Sequence, residues 1–417
     1  AMIYDEFVTQ IEGHGRIWFD IKDGKVVEVR LEIHEGSRLF ESFLRGRRAD
    51  EVPQMSSRIC GVCPVPHNMA AIQALENAMG IEASEQTKML RRFMISSQMV
   101  QDHALHLYVL AAADYLGVTG ISEVYAKFPD AVKRCVRIRT VGNRGIELVG
   151  GRAVHPINSI PGGFAKLPTR EDMEKIAKDF KAILNDCIET FRLFASLKCP
   201  DFERPTEYLA IDDGKHFPAY AGRLVTNRGL NVEAKEYRNH IKEVFKPYSN
   251  TKFCVMNGHG FHVGAIARVN LFKDRLNPTA KELLKECAVK FPSDNPFHNN
   301  LAQALEMVHY AEEAIKIAEE LAVKLKDEER PKQTKAGTGV GVVEAPRGTL
   351  IHEYTVDKNG IVKDANLIIP TGMNTTNIEE DLYALLSANI NKPKEQLKRL
   401  AEMLFRAYDP CLSCSTH

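Results

Sequence analysis

The sequence predicts a mainly α-helical fold with small β elements, and three patterns carry that reading. Apolar residues recur at helical spacing for many turns from Ser84 to Leu116 and again from Asn299 to Leu325, the period of long helices with a buried stripe. Apolar and polar residues alternate around Asp23-Gly24 near the N-terminus and around Lys358-Asn359-Gly360 near the C-terminus, which marks two β hairpins. Prolines and glycines fall at the ends of these segments and rarely inside them.

Taken in order, the first element is the hairpin from Gly15 to His34. A helix follows from Pro66 to Met79, with prolines at its start and Gly80 just past its end, as helix termini prefer. That places Cys63 just before a helix N-terminus, where the dipole favours a thiolate. The two long helices come next, then the second hairpin from Ile351 to Pro370 and helices starting near Ile378 and Lys394. Proline disfavours helical geometry in the residue before it, so Asp409-Pro410 should end the last helix and leave Cys411 on a short loop. The charged run from Lys326 to Lys335, with Pro331 inside it, reads as a surface loop. No internal repeat, low-complexity tract or long linker divides the chain, so residues 1–417 are expected to form one intertwined domain.

Composition narrows the partners. Lys plus Arg (55) equals Asp plus Glu (55) among 417 residues, which leaves no net field to attract nucleic acid or an anionic membrane. There is no run of about 18 apolar residues and no signal-peptide pattern, so no direct membrane span is expected. Nine cysteines, an odd number in a large mixed chain, fit reduced thiols and metal ligation better than a secreted disulfide framework. The expected compartment is the cytoplasm.

Four of those cysteines form two C-x-x-C pairs at opposite ends: Cys60-Gly61-Val62-Cys63 and Cys411-Leu412-Ser413-Cys414. A structural zinc or a single rubredoxin-like iron is the plain alternative, because closed four-cysteine sites commonly hold one. A zinc ribbon, however, closes within a few tens of residues, whereas Cys63 and Cys411 lie 348 positions apart. Thiolates also suit softer redox metals and can bridge two of them. The other cysteines, Cys135, Cys187, Cys199, Cys254 and Cys287, lack ligand spacing and read as buried apolar residues.

The flanking residues are Arg58-Ile59-Cys60-Gly61-Val62-Cys63-Pro64-Val65-Pro66-His67 and Asp409-Pro410-Cys411-Leu412-Ser413-Cys414-Ser415-Thr416-His417. Together they resemble the two signatures of the large, catalytic subunit of nickel-iron hydrogenases. The likeness runs through the chain in family order: Glu12-Gly13-His14, Glu41 in a Leu-Arg-Gly-Arg context, Gln101-Asp102-His103, Glu344-Ala345-Pro346-Arg347-Gly348 and Pro370-Thr371. It implies the large-subunit fold, with long central helices and a hairpin at each end.

The resemblance also implies roles. Cys60 and Cys411 would bind nickel alone, while Cys63 and Cys414 would bridge nickel to an iron that carries carbon monoxide and cyanide ligands. Splitting dihydrogen heterolytically needs a Lewis acid and a base for the proton; by the resemblance Cys411 is the first proton acceptor and Glu12 passes the proton outward. Arg347 would hang above the open metal position, held by Asp102 and Asp409 through charge-assisted bonds. Pro346 and Thr371 would line the pocket around the diatomic ligands, and His67 would hydrogen-bond a bridging sulfur. Glu41 and His417 match the ligands of a magnesium or related divalent ion. Each has a plainer reading: Glu12 as an exposed carboxylate, Asp102, His103 and His106 as a solvated helix face, Arg347 as a loop arginine on a surface acid, and Glu41 as the partner of Arg45. Their joint occurrence in family order favours function.

One departure stands at Gln10, where the family commonly has arginine, and it removes any ion pair there. Family precursors are cut after the histidine that matches His417, so the end of this chain resembles the matured form. Segments such as His103–Tyr108, Asn299–Glu306 and Arg406–Pro410 are similar to the cytosolic, bidirectional branch, which includes archaeal sulfhydrogenases and deazaflavin-reducing or NAD(P)-linked enzymes. No four-cysteine iron-sulfur pattern occurs elsewhere in the chain, so an iron-sulfur small subunit is the expected partner, with further subunits carrying flavin or another electron acceptor site. The expected function is reversible cleavage of dihydrogen to protons and electrons. The other class is a non-catalytic relative: a hydrogen-sensing regulatory subunit, or a scaffold like the related complex I subunit, whose relatives lack the cysteine pairs that this chain keeps.

Overall fold

The computed structural model describes residues 1–332 and 335–417. Its centre is a set of long helices, Glu85–Leu105, Pro129–Gly150, Arg170–Ser196 and Asn299–Lys324, packed against one another. Close approach between the first two rests on glycine. A Cβ on Gly142 would lie 2.7 Å from Gln101 Cβ, and one on Gly145 would lie 2.5 Å from Ser97 Oγ. The Arg170–Ser196 helix begins with a capping box, in which Thr169 and Asp172 bond each other's backbone N–H and satisfy two otherwise orphaned donors.

The N-terminal hairpin is present as Gly15–Lys22 and Lys25–Ile33, and a further strand, Met2–Phe7, extends it to a three-stranded antiparallel sheet. Asp23 and Gly24 both have positive φ, 50° and 71°, as a tight two-residue hairpin turn requires. The second hairpin is likewise part of a three-stranded sheet, Gly337–Ala345, Gly348–Val356 and Val362–Ile368. Its first strand lies against the helix Pro64–Met79. A Cβ on Gly339 would meet Ala74 O at 2.2 Å, and one on Gly341 would meet Ala70 O at 2.3 Å, so the backbone contact depends on both glycines. Between the first two strands Ala345 pairs with Gly348, which makes Pro346 and Arg347 the two-residue tip of a hairpin that points into the protein.

One expectation is corrected and two helices are added. The helix expected near Ile378 starts at Pro370 and runs to Ala388, which puts Thr371 in its first turn; its apolar N-cap, Ile369, makes no side-chain bond, so no polar cap marks the start. The helix expected over Ser84–Leu116 is present, running without a gap from Glu85 to Leu116 with a π-helical turn at His106–Ala111. The helices Pro129–Gly150 and Arg170–Ser196 were not anticipated. In the Lys326–Lys335 run the described residues form no helix or strand, and 333–334 lie outside the described residues. No single helix among the described residues is long and apolar enough to cross a membrane.

Candidate metal centre

Cys60 follows a 3-10 turn, Ser57–Ile59, and Cys63 is the N-cap of the Pro64–Met79 helix. Cys411 is the N-cap of a short helix, Leu412–Ser415, which carries Cys414. All four are buried, free of disulfides, and their sulfurs lie within 4.8 Å of one another. Across the two pairs, Cys60 Sγ is 3.7 Å from Cys411 Sγ and Cys63 Sγ is 3.9 Å from Cys414 Sγ. The N–H groups of Val62 and Cys63 point at Cys60 Sγ, 3.3 and 3.1 Å away. Among the described residues this is the one group of three or more metal-donor side chains that comes together.

The charge state of the cluster indicates what it fits. Burial opposes ionisation of Cys60, but hydrogen bonds from the Cys411, Cys414 and Cys63 thiols outweigh it and hold Cys60 well below the ordinary thiol range. Burial and the neighbouring sulfurs push Cys411 far up, and burial first of all does the same to Cys414. Four sulfurs this close in a dry site cannot all be thiolates without a cation among them. A soft metal meets that need, and the donor set fits nickel.

The C-terminal pair reaches the centre because the N-terminal segment receives it. Glu12 and Cys411 form a parallel bridge, Leu412 N–H donates to Glu12 O, and Ser413 N–H donates to Glu12 Oε2 at 2.9 Å while Ser413 Oγ–H bonds Glu12 Oε1. Glu12 is therefore half-buried and fixed two residues from Cys411. Cys411 N–H donates to Thr371 Oγ1 at 3.0 Å, which leaves the Thr371 hydroxyl proton free to donate elsewhere. Arg38 ties Ile59 O to Ser413 O, at 2.6 Å for the second.

Arg347 is buried beside the cysteines. Its Nε–H donates to Asp409 O at 2.8 Å, and its terminal nitrogens lie 3.4 Å from Asp102 Oδ2 and 3.1 Å from Asp409 Oδ1. Burial raises Asp102 to about 7 although Arg347 pulls it down. Asp409 is held in turn by Gln303 Nε2–H at 3.0 Å, and Gln303 Oε1 faces His106 Nδ1 at 2.5 Å. Asp102, His103 and His106 are all buried, so the solvated-face reading fails. The surface-acid reading of Arg347 fails with it.

His67 is buried with one ring nitrogen engaged. Its Nδ1 is hydrogen-bonded to His352 Nε2 at 3.3 Å, and His352 Nδ1 to Tyr354 Oη at 2.8 Å. The sheet strand packed on the helix takes that nitrogen, leaving only Nε2 for a sulfur, and no bond from His67 to a cysteine is formed. Burial pushes His67 down to about 4. Pro346 is buried at the hairpin tip, its carbonyl accepting from Arg268. Glu41 contacts His417, with Oε1 to Nε2 at 3.0 Å, and also accepts from Leu367 N–H; Arg45 pairs with Asp364 instead. Burial opposes its charge, but His417 keeps Glu41 below the usual range, an ionised oxygen donor of the kind a hard divalent ion takes. Of the other cysteines Cys199 is half-buried, and Cys135, Cys187, Cys254 and Cys287 are buried.

Residues 38–147 and 208–417 match the family described as nickel-dependent hydrogenase. The chain belongs to that family. It is 35% identical over 99% of its length to the alpha subunit of sulfhydrogenase 1 from Pyrococcus furiosus, covering 97% of that protein. It is also 35% identical, over 90% of its length and 96% of the relative's, to one of the subunits of the F420-non-reducing hydrogenase vhu from Methanocaldococcus jannaschii. Its fold superposes on that of an NAD+-reducing NiFe hydrogenase in the H2-reduced state with TM-score 0.89, 28% identity and full coverage of both chains. The hydrogenase fold, mainly helical with small sheets, is thus the one the sequence predicts. The chain is a nickel-iron hydrogenase large subunit, which makes it an enzyme that cleaves dihydrogen reversibly to protons and electrons.

Sequence reasoning named the cysteines, Arg347 and its two aspartates, and missed His352, Gln303 and Arg268. Spacing gives these no signal, since each is a single polar residue on an otherwise ordinary strand or helix.

Proposed function

We propose that the four cysteines act asymmetrically: Cys60 and Cys411 would serve nickel alone, and Cys63 and Cys414 would serve both nickel and an iron bearing carbon monoxide and cyanide. The observation that carries this reading is the gathering of four buried, unoxidised thiols from both ends of the chain beneath a buried guanidinium. When bound, the metals provide a Lewis-acidic open position that polarises dihydrogen. Cys411 Sγ takes the proton. Glu12, tied to the same turn through Ser413, carries it outward, and Arg347 orients the reacting molecule while Asp102 and Asp409 fix the guanidinium. Pro346 walls the pocket, Thr371 donates its hydroxyl proton to a diatomic ligand, and His67 offers Nε2 to a bridging sulfur. Glu41 and His417 hold magnesium or a related ion.

The whole chain works as one intertwined unit in a reducing cytoplasm, consistent with nine free cysteines. Electrons leave through an iron-sulfur small subunit, with a flavin-bearing or other acceptor subunit beyond it. The names of the relatives support an assembly of several subunits, since they are subunits of sulfhydrogenase and of an F420-non-reducing hydrogenase.

Elemental analysis with infrared spectroscopy tests the centre. Nickel and iron with carbon monoxide and cyanide stretches are expected; zinc without nickel, and no such stretches, would refute it. Cys411→Ser should abolish turnover. Glu12→Gln should slow hydrogen-deuterium exchange by roughly 100-fold or more, the lower range for a lost acid-base group, with nickel retained. Nickel loss in Glu12→Gln would contradict the role given to Glu12.

A further inference from the structure

Arg268 sits on the helix Ala265–Phe272 and has no solvent exposure. Its guanidinium has five N–H donors, and all five are bonded. Nε–H and one N–H of the second terminal nitrogen form a fork on Glu306, both at 2.7 Å. The other N–H of that nitrogen donates to Pro346 O at 2.9 Å. The first terminal nitrogen donates to Glu344 Oε1 at 2.9 Å and to Ala345 O at 2.8 Å. Glu306 also binds His103 Nε2 at 2.8 Å, and Glu344 accepts from Thr349 Oγ1 at 2.7 Å.

The two carbonyls are consecutive and immediately precede Arg347. A two-residue hairpin tip normally lies in water, where its carbonyls are solvated. Here the tip is buried, and each buried carbonyl needs a donor. Arg268 provides both. The neighbouring chain closes the tip from the other side: a Cβ on Gly264 would approach Arg347 O to 3.0 Å, and one on Gly348 would overlap Val263 Cγ2 at 2.3 Å. Asp102 and Asp409 fix the end of the Arg347 side chain, but they do not fix its root.

We propose that Arg268 is a positioning residue: with Glu306 as its anchor it clamps the Ala345 and Pro346 carbonyls and thereby sets where Arg347 stands over the metal position. It touches no substrate and acts through Arg347. This rests on the role proposed for Arg347. Lysine cannot replace it, because a single ammonium has three donors at one point, whereas the partners here surround a planar fork.

The test is a double-substitution cycle on the nickel-loaded enzyme, with turnover measured on an artificial acceptor and nickel content and thermal midpoint measured beside it. Arg347→Lys comes first. Full activity there would remove the role of Arg347 itself and leave the clamp without an object. Arg268→Lys should keep nickel and lower kcat roughly 10- to 100-fold, the usual effect of removing groups that orient a site. In the Arg268→Lys, Arg347→Lys double variant the loss should equal that of Arg347→Lys alone, because coupled residues are non-additive. Multiplying losses would overturn the proposal, since a residue of merely structural importance would harm both backgrounds equally. So would unchanged kcat in Arg268→Lys. If Arg268→Lys fails to fold, Glu306→Gln takes its place: it keeps the volume but turns one fork acceptor into a donor, and the same non-additivity with Arg347→Lys is required.

Discussion

Asp409 meets two demands at once. Its backbone is left-handed, φ 54°, and its carboxylate pairs with Arg347 and Gln303. Left-handed backbone is costly for side-chain-bearing residues except Asn and Asp, whose short polar groups bond locally. Substitution separates the two demands. Asp409→Asn keeps the conformation and loses the charge, whereas Asp409→Ala loses both. Turnover should fall sharply in each, and the alanine variant should be less stable than the asparagine variant by about 1–2 kcal/mol, read from urea midpoints. Equal midpoints would show that backbone strain at 409 plays no part. At this scale the site was legible where chemistry is distinctive, in paired cysteines and in Pro346-Arg347-Gly348. It was not legible for His352, which in an alternating strand is indistinguishable from any inward-facing residue, nor for Arg268, whose partners come from distant segments.

Between elements, the helix that carries Gln98 and Asp102 is held at close range by a glycine face. Gly to Ala in an open helix stabilises by roughly 0.5–1 kcal/mol. At Gly142 the added carbon would meet Gln101 Cβ at 2.7 Å and Ser97 O at 2.9 Å, and overpacking of this kind costs about 1–3 kcal/mol. The steric effect is the larger, so Gly142→Ala should lower the urea midpoint; a raised midpoint would mean that the two helices can separate freely. The hairpins and the Pro64–Met79 helix were readable from turn dipeptides and from proline and glycine at their ends. The same punctuation exists at Pro129 with Gly151 and at Thr169 with Asp172, and buried apolar residues recur there at helical spacing, Ile138, Val141 and Gly145 in one and Met173, Ile176 and Phe180 in the other, so both helices were legible in the same terms. The π turn at His106–Ala111 packs against the helix Lys394–Ala407, where His106 Nε2–H reaches Arg406 O at 2.7 Å, and no local sequence signal announces it.

Over the whole molecule, buried neutral histidines give stability a defined pH dependence. Burial takes His262 down to about 3 and His309 to about 4, from 6.5. In the unfolded chain these imidazoles take up protons near pH 6.5, but in the folded chain only at much lower pH. Their contribution is therefore complete above pH 6.5 and is lost as pH falls toward 4 and below, at up to ~1.4 kcal/mol per pH unit each. Urea midpoints measured from pH 7 to pH 4 should fall. His262→Phe should flatten the fall, since the ring stays stacked between Tyr208 and Tyr408 and no longer titrates; a fall as steep as the unsubstituted protein's would sink the assignment. The meeting of the two cysteine pairs has a kinetic side as well. Its contacts span 351 and 401 positions, and chain entropy must be lost across such distances before any contact forms. With its two ends apart the chain would present two isolated thiol pairs and no four-sulfur site. A metal held by sulfurs from both ends would therefore fasten the first and last segments of the chain together, as a clasp does.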